Sequence, residues 1–219
     1  GEAAIREPWR MALAHLWSAG SGRVLETEFP KPVSFEGLPA REVLAIVEHE
    51  LNSPLTSSMG RCFDAVAFML GCGARASYEA EAAVALEALA LEAKDPGRIY
   101  EFARIGSGPA EIDPAPVIEG VLDDLRLGRD RAEIAAAFHR GVARLVFDFS
   151  RELCEAHGCG NVVLSGGVFQ NRFLCERVME LAASSPLRFL QHALVPPNDG
   201  GVSFGQLVVG AAKIRKGSV

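Results

Sequence analysis

Between Asn161 and Ala212 the chain spells strand, glycine turn and helix twice in succession, the alternation of an α/β layer. Val162-Val163-Leu164 is a short apolar, β-branched run of the kind that forms a buried strand, and it stops at Ser165-Gly166-Gly167 before an amphipathic segment begins at Val168. The pattern then recurs. Leu187 to Leu190 reads as a second strand, Val195-Pro196-Pro197-Asn198-Asp199-Gly200-Gly201 as a second stiff turn, and 200–213 as a second helix. With strands at 161–165 and 187–190 and helices at 168–184 and 200–213, the tail predicts an α/β layer, in which ligands collect beyond the carboxyl ends of the strands. Both turns follow strands, so both are expected to open on one crevice.

The residues at these turns suit polar ligands. Backbone N–H groups at Gly166-Gly167 and the positive end of the following helix favour anionic groups, and the missing side chains let a ring or phosphate approach closely. Asn171, expected one turn into helix 168–184, carries an amide that can donate and accept. At the second turn Pro196-Pro197 fixes the backbone, and Asp199 is available either as a hard oxygen ligand or as a helix cap. A strand, two glycines and a helix also pack well with no ligand at all, so spacing alone leaves that choice open.

Helical periodicity dominates the rest. Pro8 suits a first turn, and Met11, Leu13, Leu16 and Trp17 mark a helix over 8–18. A proline-bearing stretch from Ser18 to Glu36 reads as an ordered loop, so that 1–36 forms a connecting helix and loop. Helices are predicted at 39–50, after the Thr56-Ser57-Ser58 hydroxyls up to Gly71, at 79–92, at 116–127, and from Asp130 to His157-Gly158. Arg98 to Ile105 alternates apolar with polar and predicts a half-exposed strand. Asp64 lies in the early turns of its helix with Arg61 three residues before it, a spacing that favours an ion pair.

A net charge of -6 argues against a nucleic-acid partner, which would need clustered Lys and Arg. Apolar runs are too short to span a bilayer, so no membrane partner and a cytoplasmic location are expected. Cys62, Cys72 and Cys175 fall among apolar helix neighbours and read as small buried hydrophobes, while Cys154 and Cys159 flank a helix end and are assigned no chemistry. His15, His49, His139, His157 and His192 show no ligand spacing and read as structural or solvent-facing.

Ala4 to Ala12, Thr56 to Ala67, Ser77 to Ala83, Ser165 to Asn171 and Pro196 to Gly201 occur in an order that resembles the HypF carbamoyltransferases, maturation factors of nickel-iron hydrogenases. The resemblance spans nearly the whole chain but only part of the family's length. It implies the C-terminal half of a domain similar to the universal tRNA threonylcarbamoyl transferase, a single helix-rich subdomain over 1–219 with a small sheet, of the actin, Hsp70 and sugar-kinase (ASKHA) fold. The family's His-rich metal motif and Asp-Gly-Thr-Gly phosphate loop do not occur in this sequence, so the upstream half would lie outside it.

By the same resemblance, carbamoyl phosphate and ATP would give carbamoyl adenylate, and the carbamoyl group would pass to the C-terminal cysteine of HypE. Gly166, Gly167 and Asn171 would hold the nucleotide, Asp64 would stand at a ribose-binding position, and Asp199 would complete a site for one divalent ion (iron, zinc or magnesium) whose histidines lie elsewhere. No catalytic residue is assigned. Relatives carry glycine where this chain has Ala80, so Tyr78, Ala80 and Glu81 are discounted as contacts. Two alternatives are an O-carbamoyltransferase acting on a small-molecule hydroxyl and a noncatalytic partner-docking module.

Overall fold

A computed structural model describes residues 2–20, 24–94, 97–106, 111–215 and 217. The chain divides into two compact units, 1–145 and 146–219. The Ser18–Glu36 loop expected from the sequence includes 21–23, which lie outside the described residues.

In the first unit a short helix α1 (Glu2–Arg6) precedes α2 (Pro8–Ser18), which starts on Pro8 as the sequence predicts. Trp9, Ala12, Leu13 and Leu16 are buried at helical spacing, and α2 packs chiefly on α4 (Met59–Met69). Every residue of α4 from Cys62 to Met69 is buried, as expected of a helix enclosed on all sides. Truncating a fully buried leucine such as Leu13 to alanine should cost about 2–5 kcal/mol. Helices α3 (Ala40–Glu48), α5 (Glu81–Ala90) and α6 (Ala115–Arg126) match the predicted segments to within a few residues. The division between units falls inside α7 (Arg131–His157).

The strand predicted over 98–105 is shorter than its alternation suggests. Only β1 (Ala103–Ile105) pairs, antiparallel, with β2 (Glu111–Asp113), which the sequence reading did not anticipate. Further upstream, Tyr100 turns inward against helices: its N–H donates to the Ala137 carbonyl and its hydroxyl to Asp124, whose buried carboxylate also pairs with Arg98 and Arg129. The alternation there comes from packing on helices, with no ladder.

The second unit holds the predicted parallel pair. β3 (Asn161–Leu164) and β4 (Arg188–Gln191) run side by side, Asn161 opposite Arg188 and Leu164 opposite Gln191, joined through α8 (Arg172–Ala182). The chain continues into α9 (Val202–Arg215), none of whose residues is buried. Among the described residues no helix is long and apolar enough to cross a membrane.

Candidate functional site

Parallel pairing puts the carboxyl ends of β3 and β4 at the same edge of the sheet, so the two turns that follow them are neighbours. They are also fastened together: the Gly166 N–H donates to the Pro197 carbonyl at 2.7 Å, and the Ser165 hydroxyl reaches the same oxygen at 3.4 Å. Gly166 stands at φ 99°, ψ 163°, a region essentially closed to side chains. A Cβ there would meet nothing within 4 Å, so glycine answers a backbone demand and leaves open space in front of the turn. Gly167 likewise faces open space.

The helix expected at 168–184 is broken into two pieces. Gly167–Gln170 forms a 3-10 turn, and α8 begins only at Arg172. Asn171 is therefore the N-cap of α8 and does not sit one turn inside it. Its side-chain oxygen accepts the Leu174 N–H at 2.7 Å, and the residue is 8% exposed. The acceptor half of the amide satisfies one of the orphan N–H groups at the helix start.

Asp199 departs from one of its two expected roles. The cap of the 3-10 turn Asp199–Gly201 is Asn198, whose side-chain oxygen accepts from the Gly200 N–H at 3.1 Å, an Asn-to-Gly turn signal the sequence reading passed over. Asp199 is exposed, and among the described residues its carboxylate makes no hydrogen bond or ion pair. It is left as an uncommitted hard oxygen donor beside the crevice. No group of three or more His, Cys, Asp or Glu able to hold a metal occurs among the described residues, so Asp199 could supply only part of a ligand set. A groove of about 500 Å³ adjoins the first turn, lined by Phe169, Arg172, Cys175, Glu176, Met179 and Gln191; no local pattern marks it, since α8 and β4 must meet before it exists.

Asp64 belongs to the first unit. It is 2% exposed and pairs with Arg61 at 2.8 Å, the ion pair that the spacing favours. Burial pushes its carboxyl up to about 6, with Arg61 pulling the other way. In the discounted loop, Glu81 accepts from the Ser77 N–H and hydroxyl, while Ala80 sits at φ 64°. His139 is fully buried, its Nδ1 2.7 Å from the Ala135 carbonyl, in keeping with a structural histidine.

Residues 1–206 match the family model described as Carbamoyltransferase, Kae1-like Domain, second subdomain. Carbamoyltransferase HypF of Rhodobacter capsulatus is 37% identical over 98% of this chain and 27% of its own length, and Carbamoyltransferase HypF2 of Cupriavidus necator is 34% identical over 95% and 28%. A crystal structure of full-length HypF in the phosphate- and nucleotide-bound form superposes with a TM-score of 0.82 at 31% identity, covering 95% of this chain and 27% of that one. The chain thus spans about a quarter of the length of these relatives. The order of elements, the paired glycine turns and these matches agree: the chain belongs to the HypF carbamoyltransferase family, as the second subdomain of its Kae1-like domain.

Proposed function

We propose that this chain contributes nucleotide and metal contacts to the transfer of a carbamoyl group from carbamoyl adenylate, made from carbamoyl phosphate and ATP, to the C-terminal cysteine of HypE in nickel-iron hydrogenase maturation. Family membership supports the reaction class, and one solved relative is a phosphate- and nucleotide-bound form. The observation that carries the reading is local. The Gly166-Gly167 turn faces open space, and the Gly166–Pro197 bond fastens it to the turn that carries an uncommitted Asp199 at the same sheet edge.

In this reading Gly166 and Gly167 let the nucleotide approach the backbone, and Asn171 keeps the start of α8, with its positive dipole end, facing the phosphate. Asp64 enters less directly, because its carboxyl is buried and one of its oxygens is paired with the Arg61 guanidinium. Asp199 would lend one carboxylate to a divalent ion, iron, zinc or magnesium, whose other ligands come from outside this chain. When bound, such an ion supplies a Lewis acid that polarises the carbamoyl carbonyl. The acceptor thiol arrives on the partner, so this chain needs to provide no nucleophile.

The test uses the protein as its source cells make it, supplied with carbamoyl phosphate, ATP and HypE. Asp199→Asn is expected to lower both bound metal, by elemental analysis, and carbamoylation of the HypE cysteine, by mass spectrometry. Unchanged metal and unchanged transfer would remove Asp199 from the site and the reading with it.

A further inference from the structure

Cys154 and Cys159 are brought together by the way α7 ends. The helix stops at His157, and Gly158 takes the left-handed conformation at φ 63°. That turn folds the chain back so that the Cys159 N–H donates to the Cys154 carbonyl at 3.0 Å, the six-to-one bond of a Schellman cap. Such caps bring the side chains of their two bonded residues into contact, usually as an apolar pair. Here both are cysteines, and their sulfurs lie 3.2 Å apart as free thiols. Cys159 is exposed and Cys154 is 5% exposed, so one thiol faces solvent and the other waits behind it. Cys62, by contrast, is sealed in α4.

We propose that Cys154 and Cys159 form a modification site, a dithiol that closes to an intramolecular disulfide by exchange with a low-molecular-weight disulfide. The Cys159 thiolate attacks one sulfur of the small disulfide, forming a mixed disulfide and expelling one small thiol. The Cys154 thiolate then attacks the Cys159 sulfur and expels the second. Two protein thiols become one disulfide, and the two electrons and two protons leave on the two small thiols. Contact with the Cys159 sulfur, and then burial, hold the Cys154 thiol above its ordinary value, so closure quickens as pH rises.

Trypsin isolates the pair, since 152–172 contains both cysteines and no internal Lys or Arg, and Cys175 falls in the following peptide. The protein as made by its source cells is equilibrated with mixtures of reduced and oxidised glutathione, quenched in acid, alkylated and digested. Expected for the wild type is a peptide that loses two hydrogens and both alkylation sites together, with no glutathione adduct. Cys154→Ser should stall with glutathione on Cys159, and Cys159→Ser should form no disulfide in this peptide. A wild-type peptide that carries the adduct as Cys154→Ser does would overturn the proposal. So would a wild type that stays doubly alkylated at every ratio, or a Cys154→Ser protein that takes no adduct.

Discussion

Asn171 carries two roles that alanine cannot separate, because its side chain both caps α8 and stands beside the proposed nucleotide crevice. Asn171→Ala removes the acceptor for the Leu174 N–H and should lower stability by about 1 kcal/mol, the usual value of an N-cap. Asn171→Asp keeps an acceptor in the same place, favoured by the helix dipole, but removes the amide donor and adds negative charge where phosphate is expected. Denaturant unfolding should place the aspartate variant near wild type and the alanine variant below it, while both lose nucleotide protection. Retained protection in Asn171→Asp would reduce Asn171 to a cap. Ala80 offers a cleaner backbone case. At φ 64° a Cβ is strained by roughly 1 kcal/mol, so Ala80→Gly should leave stability unchanged or slightly raised. The same exchange inside a helix would cost about 1 kcal/mol. A loss of that size at position 80 would show the strain is not there.

At the scale of elements, α7 meets Tyr100 through an absence of side chain. A Cβ on Gly141 would collide with the Tyr100 carbonyl, and one on Gly120 would touch the Tyr100 ring at 3.0 Å. Gly141→Ala must push apart backbone on both sides and should destabilise by about 1–3 kcal/mol, as overpacking does, despite alanine's better helix propensity. Chemical denaturation gives the sign directly, and a stabilised variant would mean that α7 and the Tyr100 segment can part freely. The same contact explains what the sequence concealed. Helices were legible because their apolar period is local, and α2 begins on Pro8 as read. The 98–105 alternation misled because Tyr100 is held by α7 and Asp124, not by a neighbouring strand. The two turns were legible because glycine and proline restrict the backbone wherever they stand. Their fastening was not, since the Gly166–Pro197 bond exists only after β3 and β4 pair. The break at Asn171 was hidden because a 3-10 turn and an α-helix share almost the same apolar spacing over four residues.

The folded first unit holds two buried titratable groups whose effects on stability oppose each other. Asp64 on α4 is raised from its ordinary 3.8 to about 6, by burial against the pull of Arg61. His139 on α7, edge-on to Phe63 and Phe138, is lowered from 6.5 to about 4, by burial first, with Arg140 adding to it and the Ala135 carbonyl opposing it. Between about pH 4 and 6 the folded state keeps the Asp64 proton that the unfolded chain has released, so Asp64 makes stability fall as pH rises. Between about pH 4 and 6.5 the unfolded chain binds a proton at His139 that the folded state refuses, so His139 makes stability rise with pH. Each shift is worth about 3 kcal/mol at 1.36 kcal/mol per unit, and the windows nearly coincide. His15, also lowered by burial, adds to the rising side. A shallow wild-type profile through this range would therefore conceal two steep ones. Trp9 and Trp17 both lie on α2 and report unfolding of this unit by fluorescence. Denaturation at pH 4.5 and pH 6.5 should show Asp64→Asn gaining stability with pH more steeply than wild type, and His139→Gln gaining less or losing it. Parallel profiles for all three proteins would mean that neither group is held out of its ordinary range by the fold.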